Sequence, residues 1–150
     1  MTIFISAVIS FFIACLGWYL LEKRVNRTSK RSETFSLITP LISILNDFED
    51  MAEEQLHAHL DATISDKAKK KLLGERLVFS IKSLSKFNLL RSRLILLNDR
   101  NITISDCKLI ELKQSLTINN IDDASKYQVV INSCQSIQLE LYNAFERKYK

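Results

Sequence analysis

The first apolar run of the chain constrains its structure more than any other feature. Residues 3–21 read IFISAVISFFIACLGWYLL and contain no charged side chain. A helix of about 19 residues reaches roughly 30 Å, which matches the hydrocarbon thickness of a bilayer. Lipid offers no partners to backbone amides, so a single segment must satisfy them as a helix. The sequence therefore predicts a transmembrane anchor over residues 1–22, rather than a buried core helix, which would need shielding on every face.

The residues at the end of this run predict its orientation. Aromatic rings favour the headgroup region, and basic residues near a span remain on the cytoplasmic side. A basic juxtamembrane linker follows the anchor at residues 23–34. The predicted membrane-interface residues are Trp18, Tyr19, Lys23, Arg24, Arg27, Lys30 and Arg31. We therefore expect a single-pass protein of the inner (plasma) membrane, with its N-terminus outside and residues 35–150 in the cytoplasm.

Residues 12–15 support an alternative to this anchor. Phe12-Ile13-Ala14-Cys15 is similar to the processing box of bacterial lipoproteins. It departs from that pattern at Phe12, where leucine is usual, and no lysine precedes the run. Cleavage before Cys15 would also leave the apolar residues LGWYLL on the mature chain. The simpler interpretation of Cys15 is a small apolar residue within the helix.

The rest of the chain has the spacing of amphipathic helices. Apolar residues recur every three or four positions over residues 41–60, 73–97, 109–116 and 127–145. With only two glycines and one proline, the chain lacks the turns of a sandwich or a barrel. Short connections between helices favour antiparallel neighbours. We predict an all-α fold, in which an N-terminal single transmembrane helix precedes an antiparallel helical bundle of three long helices and one short helix.

Capping and turn residues predict where these helices begin and end. Pro40 suits the first position of a helix with Thr39 as its cap, although a kinked continuation of the membrane helix is the alternative. Ser65 precedes the second helix, and Ser105 caps the third. Residues 98–101 predict the loop between them. The apolar stripe predicted for the second helix comprises Leu73, Leu77, Ile81, Leu84, Phe87, Leu90, Leu94 and Leu97.

Charge is divided unevenly between the first two helices of the bundle. Residues 47–61 contain acidic side chains and neither lysine nor arginine. Among the charged residues of 67–93, all are lysine or arginine except Glu75. Two antiparallel neighbours would complement each other along their edges. Alternatively, the basic helix docks an anionic partner through Lys67, Lys69, Lys70, Lys71 and Arg76. No aromatic residue is interleaved with these lysines, which disfavours nucleic acid.

No residue pattern predicts catalysis or a cofactor. Glu54 and His57 have the spacing that di-iron bundles use twice, but the motif occurs once here. Cys107 follows the cap of the third helix, and Cys134 falls on the apolar stripe of the last one. Neither thiol has a partner that the sequence identifies. We therefore expect no enzymatic activity, no metal, no cofactor and no small-molecule substrate.

These expectations favour a membrane-anchored helical interaction or scaffold protein. The expected partners are the lipid bilayer and a protein, which is either a different chain or a second copy of this one. One alternative is a prophage or plasmid accessory protein that blocks superinfection or confers immunity. A second alternative is membrane-proximal binding of nucleic acid or anionic lipid through residues 67–93.

Overall fold

The computed structural model describes residues 2–62, 66–117 and 125–150 of the chain, and within these it omits the side chains of residues 2–4, 6, 7, 9, 60–62 and 66–73. The described residues form four α-helices. These are α1 at Thr2–Ala62, α2 at Asp66–Asn98, α3 at Asp106–Leu116 and α4 at Ser125–Tyr149. No strand occurs in the described ranges, and the predicted all-α class is confirmed. The predicted cap at Ser65 lies outside the described residues.

The chain divides into two units, Met1–Ser36 and Leu37–Lys150. In the first unit every side chain from Ser10 to Glu33 is exposed. Residues 23–34, predicted as a linker, are helical throughout. The second unit combines the C-terminal part of α1 with α2, α3 and α4, and it contains the hydrophobic core.

The helix α1 continues through Pro40, so the prediction that a helix starts there with Thr39 as its cap was wrong. Proline has no N–H group and cannot donate to the carbonyl of Ser36. The helix nevertheless persists because the turns after Pro40 are held by packing. Leu41 and Leu45 are both fully buried in the core. A proline inside a helix costs about 3 kcal/mol, through the lost hydrogen bond and the clash of its ring with the carbonyl four residues earlier. Full burial of the two leucines, at about 1.5–3 kcal/mol each, offsets that cost.

The core of the second unit takes one face from each of its helices. Its fully buried apolar residues include Leu41, Leu45, Phe48, Leu90, Leu97, Leu112, Leu116, Val130, Ile137 and Leu141. Helix α2 runs antiparallel to α1, because Lys86 contacts Asp47 while Arg76 contacts His59. Helix α3 runs antiparallel to α4, because Ser105 contacts Glu140 while Lys108 contacts the carbonyl of Ser136. The predicted helical bundle is therefore confirmed.

Helix α2 ends in a Schellman motif at the predicted loop. Asn101 adopts a positive φ of 52°, a left-handed conformation that asparagine tolerates. Its N–H donates to the carbonyl of Asn98 at 2.8 Å, and the N–H of Ile102 donates to the carbonyl of Leu97 at 3.1 Å. Both Leu97 and Ile102 are buried, which is the apolar contact that accompanies this motif.

Ser105 occupies the predicted N-cap of α3, but its side chain makes no capping hydrogen bond. Glu140 of α4 performs part of this role. The backbone N–H of Ser105 donates to Glu140 Oε1 at 3.0 Å, and Lys108 Nζ lies 3.0 Å from Glu140 Oε2. A single carboxylate therefore ties the start of α3 to α4.

The buried stripe of α2 differs from the prediction over its first half. Leu77 and Ile81 are exposed, and the core-facing positions are Arg76, Phe79 and Ser83. From Phe87 onward the predicted stripe is right, since Phe87, Leu90, Leu94 and Leu97 are all buried. Two stripes offset by one or two positions satisfy the same spacing. The core-facing one carries Phe79, whose ring packs edge-on against Tyr127 with centroids 5.6 Å apart.

Candidate functional site

Apolar side chains of the first unit are exposed on every side of α1. The exposed residues are Ile5, Val8, Phe11, Phe12, Ile13, Leu16, Trp18, Tyr19, Leu20 and Leu21. Successive helical positions differ by about 100°, so three consecutive residues such as Phe11, Phe12 and Ile13 already point in three directions. A helix that is apolar all round is typically buried, either in a large protein or in a membrane.

The predicted membrane-interface residues follow this apolar surface directly. Trp18 is 74% exposed, and Tyr19 beside it is also exposed. The basic residues Lys23, Arg24, Arg27, Lys30 and Arg31 are all exposed. Their spacings of three and four place them on one side of α1. The result is a basic stripe that begins where the apolar surface ends.

The predicted anchor falls partly outside the described side chains. Ile3, Phe4, Ser6, Ala7 and Ile9 belong to the predicted span, and their side chains are not described. Across the helices as far as they are described, none has a stretch both long enough and apolar enough to cross a membrane.

Arg76 is the one residue of the predicted anionic-partner patch whose side chain the structure describes. The side chains of Lys67, Lys69, Lys70 and Lys71 lie outside the described residues. Arg76 is only 6% exposed and faces the interior of the bundle. Arg76 is therefore unavailable to a surface patch. Arg76 lies on the stripe of α2 that also carries Phe79 and Ser83, and this stripe is buried.

Arg76 joins three helices through a buried polar cluster. Its Nη2 donates to Nδ1 of His59 at 2.6 Å. A guanidinium group can only donate, so Nδ1 accepts and the imidazole carries its proton on Nε2. Arg76 also hydrogen-bonds to Tyr127. Burial raises the pKa of the Tyr127 hydroxyl, and the neighbouring Arg76 charge opposes part of that rise. The cluster links α1, α2 and α4.

Two polar atoms in this region are buried without a hydrogen-bond partner in the described part of the chain, Arg76 Nε and Gln55 Oε1. Gln55 also lines an open groove of about 380 Å³ between α1 and α2. Met51, Val78 and Phe79 supply apolar walls of this groove, and its charged residues are Glu54, Glu75 and Lys82. Two carboxylates and one ammonium group therefore line the groove, so the charge of Lys82 offsets only part of the negative charge.

An ion pair among the described residues illustrates the predicted charge complementarity between the first two helices of the bundle. Lys86 Nζ of α2 contacts the carboxylate of Asp47 of α1. Both side chains are more than a third exposed. Solvent screening limits such a pair to between about 0 and 1 kcal/mol. The pair therefore aligns the helix edges rather than stabilising the fold strongly.

The residues that the sequence offered for chemistry do not assemble into a site. Glu54 and His57 are exposed on α1, and the described residues contain no group of three histidine, cysteine or acidic side chains that could hold a metal ion. Cys107 is exposed. Cys134 is buried, and its burial together with the charge of Glu49 raises the pKa of its thiol. A buried thiol with a raised pKa is chemically inert.

Sequence reasoning missed an exposed surface on α2, opposite the core. It consists of Leu77, Val78, Ile81, Ser85, Asn88, Leu89, Ser92, Ile95 and Leu96, and we call it the uncharged face of α2. Its apolar members are between 45% and 69% exposed. The signal was present in the sequence, because these positions form a second stripe with nearly the same spacing as the buried one.

No protein-family model matches the chain, and the comparisons with curated proteins and with solved structures give no match.

Proposed function

We propose that this chain is a non-enzymatic, single-pass helical module that is anchored in the inner membrane and docks protein partners at its cytoplasmic face. The observation that carries the proposal is that the described apolar side chains between Ile5 and Leu21 are exposed on every side of α1. Apolar surface left in water costs about 25 cal/mol per Å² relative to burial. A lipid environment would remove that cost on every side of the helix at once.

The charge that follows this segment supports the proposed orientation. The exposed stripe from Lys23 to Arg31 would lie among the headgroups, where each basic residue contributes about 1 kcal/mol near an anionic surface. Trp18 and Tyr19 would lie between lipid tails and water, which suits rings with one polar edge. Both features favour residues 37–150 on the cytoplasmic side.

Docking accounts for the second unit better than catalysis does. Its core is filled by apolar residues from four helices, which makes a stable platform. Its Cys134 is buried with a raised thiol pKa, and Glu54 and His57 are exposed and belong to no group of three possible metal ligands among the described residues. The uncharged face of α2 exposes an apolar patch of the kind that marks interaction surfaces.

The proposal is tested by membrane extraction and by reporter fusions. The full chain should remain in the membrane pellet after alkaline carbonate washing. Ile13→Lys combined with Leu16→Lys should release it, whereas Leu139→Lys should not, because Leu139 is an exposed apolar residue of α4. Recovery of the unaltered chain in the soluble fraction would overturn the anchor.

Orientation is tested by fusing alkaline phosphatase and a fluorescent protein, separately, after Lys150. We expect fluorescence without phosphatase activity. Alanine at Lys23, Arg24 and Arg27 should weaken this preference and give a mixed population. Phosphatase activity without fluorescence in the unaltered chain would overturn the cytoplasmic placement.

A further inference from the structure

We infer that the uncharged face of α2 binds the same face of a second copy of this chain, as a parallel two-stranded coiled coil. The inference deepens the proposed function and rests on it for the parallel direction, because an anchor would hold both copies in the same orientation. Anchoring would also raise their effective concentration in the membrane plane.

The exposed residues follow a heptad repeat. Positions a are Val78, Ser85 and Ser92, and positions d are Ile81, Asn88 and Ile95. These recur at alternating spacings of three and four, which is the 3.5-residue period of a left-handed coiled coil. The flanking positions e and g add Leu89, Leu96, Leu77 and the half-buried Leu84. The face extends about 30 Å along the helix.

A seam of this length is sufficient because α2 does not depend on dimerisation for its helical structure. Isolated short coiled coils must form their helices and associate at the same time, which is costly. The opposite side of α2 is already buried in the bundle through Phe87, Leu90, Leu94 and Leu97. The seam is therefore presented on a helix that the core has ordered.

Charge is arranged so that like charges do not meet across a parallel seam. Lys82 is an e position and Arg91 is a g position, and both are exposed. In a parallel pair, a g residue faces the e residue five positions later in the other helix. Lys82 therefore faces Leu77 of the second copy, and Arg91 faces Leu96 of the second copy. The aliphatic stems of both cations can cover apolar surface while their charged groups stay in water.

The polar residues at the centre of the face favour a second copy over a lipid surface. Ser92 Oγ donates to the carbonyl of Leu89 at 2.8 Å, so its donor is satisfied within the helix. The exposed Asn88 amide is both donor and acceptor. In lipid it would lack partners, whereas Asn88 of a second copy supplies both across the twofold axis. This pairing also fixes the register, because in any other register the two Asn88 amides would not meet.

The face offers six exposed apolar and three exposed uncharged polar residues to a partner. A standard interface buries about 800 Å² per partner, from about 20–30 residues a side, so these nine residues would form the centre of the contact rather than all of it. Leu77, Ile81 and Ile95 are the most exposed members. These residues should dominate the binding energy.

The first test is disulfide cross-linking of the full chain in membranes. Cys15 and Cys107 are exposed and are replaced by serine, while the buried Cys134 is retained. Val78→Cys, Ser85→Cys and Ser92→Cys are then oxidised separately with copper phenanthroline. Glu111→Cys, on an exposed position of α3, is the matched control. We expect a species of twice the chain mass at all three a positions and its absence at position 111.

The pattern of cross-links distinguishes the arrangements. Cross-linking at position 85 alone would indicate an antiparallel pair and overturn the parallel seam. Yields no higher than that of the control would overturn self-association through this face. A product of any other mass would assign the face to a different protein.

The second test introduces charge into the seam. Ile81→Glu and Ile95→Glu should each convert a dimer to a monomer in analytical ultracentrifugation of the detergent-solubilised full chain. Leu139→Glu should leave the dimer intact, and circular dichroism should show unchanged helix content for all three. A dimer that survives in both seam variants overturns the inference. The inference is also overturned if a seam variant remains dimeric but binds less strongly to anionic lipid vesicles, because the face would then contact lipid rather than a second copy.

The two proposals can fail separately. Carbonate extraction of Ile81→Glu should leave it in the membrane pellet, because the anchor is not altered. If the unaltered chain is soluble, the proposed anchor is wrong. The cross-linking and sedimentation experiments are then carried out on the soluble protein and interpreted by the same criteria.

Discussion

Leu89 and Leu90 are consecutive residues of α2 with opposite environments: Leu89 is 45% exposed on the uncharged face, whereas Leu90 is fully buried in the core. The rotation of about 100° between neighbouring helical positions separates them. The same residue type therefore stabilises the bundle at one position and is available to a partner at the next.

This pair gives a direct test of core packing. Leu90→Ala should lower the free energy of unfolding by about 2–5 kcal/mol, because it leaves a cavity among apolar neighbours. Leu89→Ala should change it by less than about 0.5 kcal/mol. Urea denaturation in the Ile81→Glu background, where self-association is removed, measures both values. Equal losses at the two positions would contradict the observed register of α2.

Two substitutions of Asn101, which has a left-handed conformation just after α2, should change the stability in different directions. Asn101→Ala should destabilise the second unit by about 1 kcal/mol, because a β-carbon without the asparagine amide is disfavoured at positive φ. Asn101→Gly should preserve or slightly increase the stability, since glycine is the preferred residue in a Schellman motif. Thermal melts of the two variants beside the unaltered chain provide the measurement. A Gly variant as unstable as the Ala variant would argue against the turn.

Glu140 should matter more than its partly exposed position suggests. Glu140→Ala removes the acceptor for the Ser105 N–H and the partner of Lys108, and should cost about 1–2 kcal/mol. Glu140→Gln keeps an acceptor oxygen and should cost less. Glu146→Ala, at an exposed position two turns later in α4, serves as the control for helix propensity. Equal stability of the Glu140→Ala and Glu146→Ala variants by denaturant unfolding would refute this role.

Glu49 predicts a dependence of stability on pH. Burial raises the pKa of its carboxyl above the usual 4.5, and nearby Glu53 and Asp50 raise it further, while a hydrogen bond from Gln135 opposes the rise. The folded state therefore holds this proton more tightly than the unfolded state does. The contribution is fully present below the unfolded pKa and is lost as pH rises through the folded pKa.

In the unaltered chain, Gln138 Nε2 donates a hydrogen bond to Glu49 Oε1 at 2.9 Å. Glu49→Gln removes the ionisable group and retains an oxygen that can accept this hydrogen bond. Relative to the unaltered chain, its Tm should be higher at about pH 7, and the difference should vanish below about pH 4. Glu146→Gln should show no such pH-dependent gain. A Tm difference of the same size at both pH values would indicate an effect of packing rather than of ionisation.

Several features of the fold follow from local sequence. The three-to-four spacing of apolar residues predicts the four helices of the bundle, since helical periodicity depends only on neighbouring positions. Asn98 to Asn101 predicts the turn after α2, and Ser105 predicts the start of α3. Each of these depends on backbone preferences within a few residues. The all-round apolar character of residues 3–21 is likewise a property of sequence alone, and it carries the proposed anchor.

Other features depend on residues far apart in the chain. Whether Leu77 or Phe79 faces the core depends on Tyr127, which meets Phe79 only when α4 packs against α2. Arg76 is buried because His59 and Tyr127 together supply acceptors on two other helices.

The sequence by itself thus determined the all-helical class, where α2 ends and α3 begins, and the apolar character of residues 3–21, whereas it did not predict that α1 continues through residues 23–34 and Pro40. Only the tertiary structure decided which of two stripes of α2 is buried, and it thereby left the uncharged face exposed. The physical reason is that two stripes on one helix can have the same periodicity. The free energy of packing against Tyr127, His59 and the rest of the bundle selects between them.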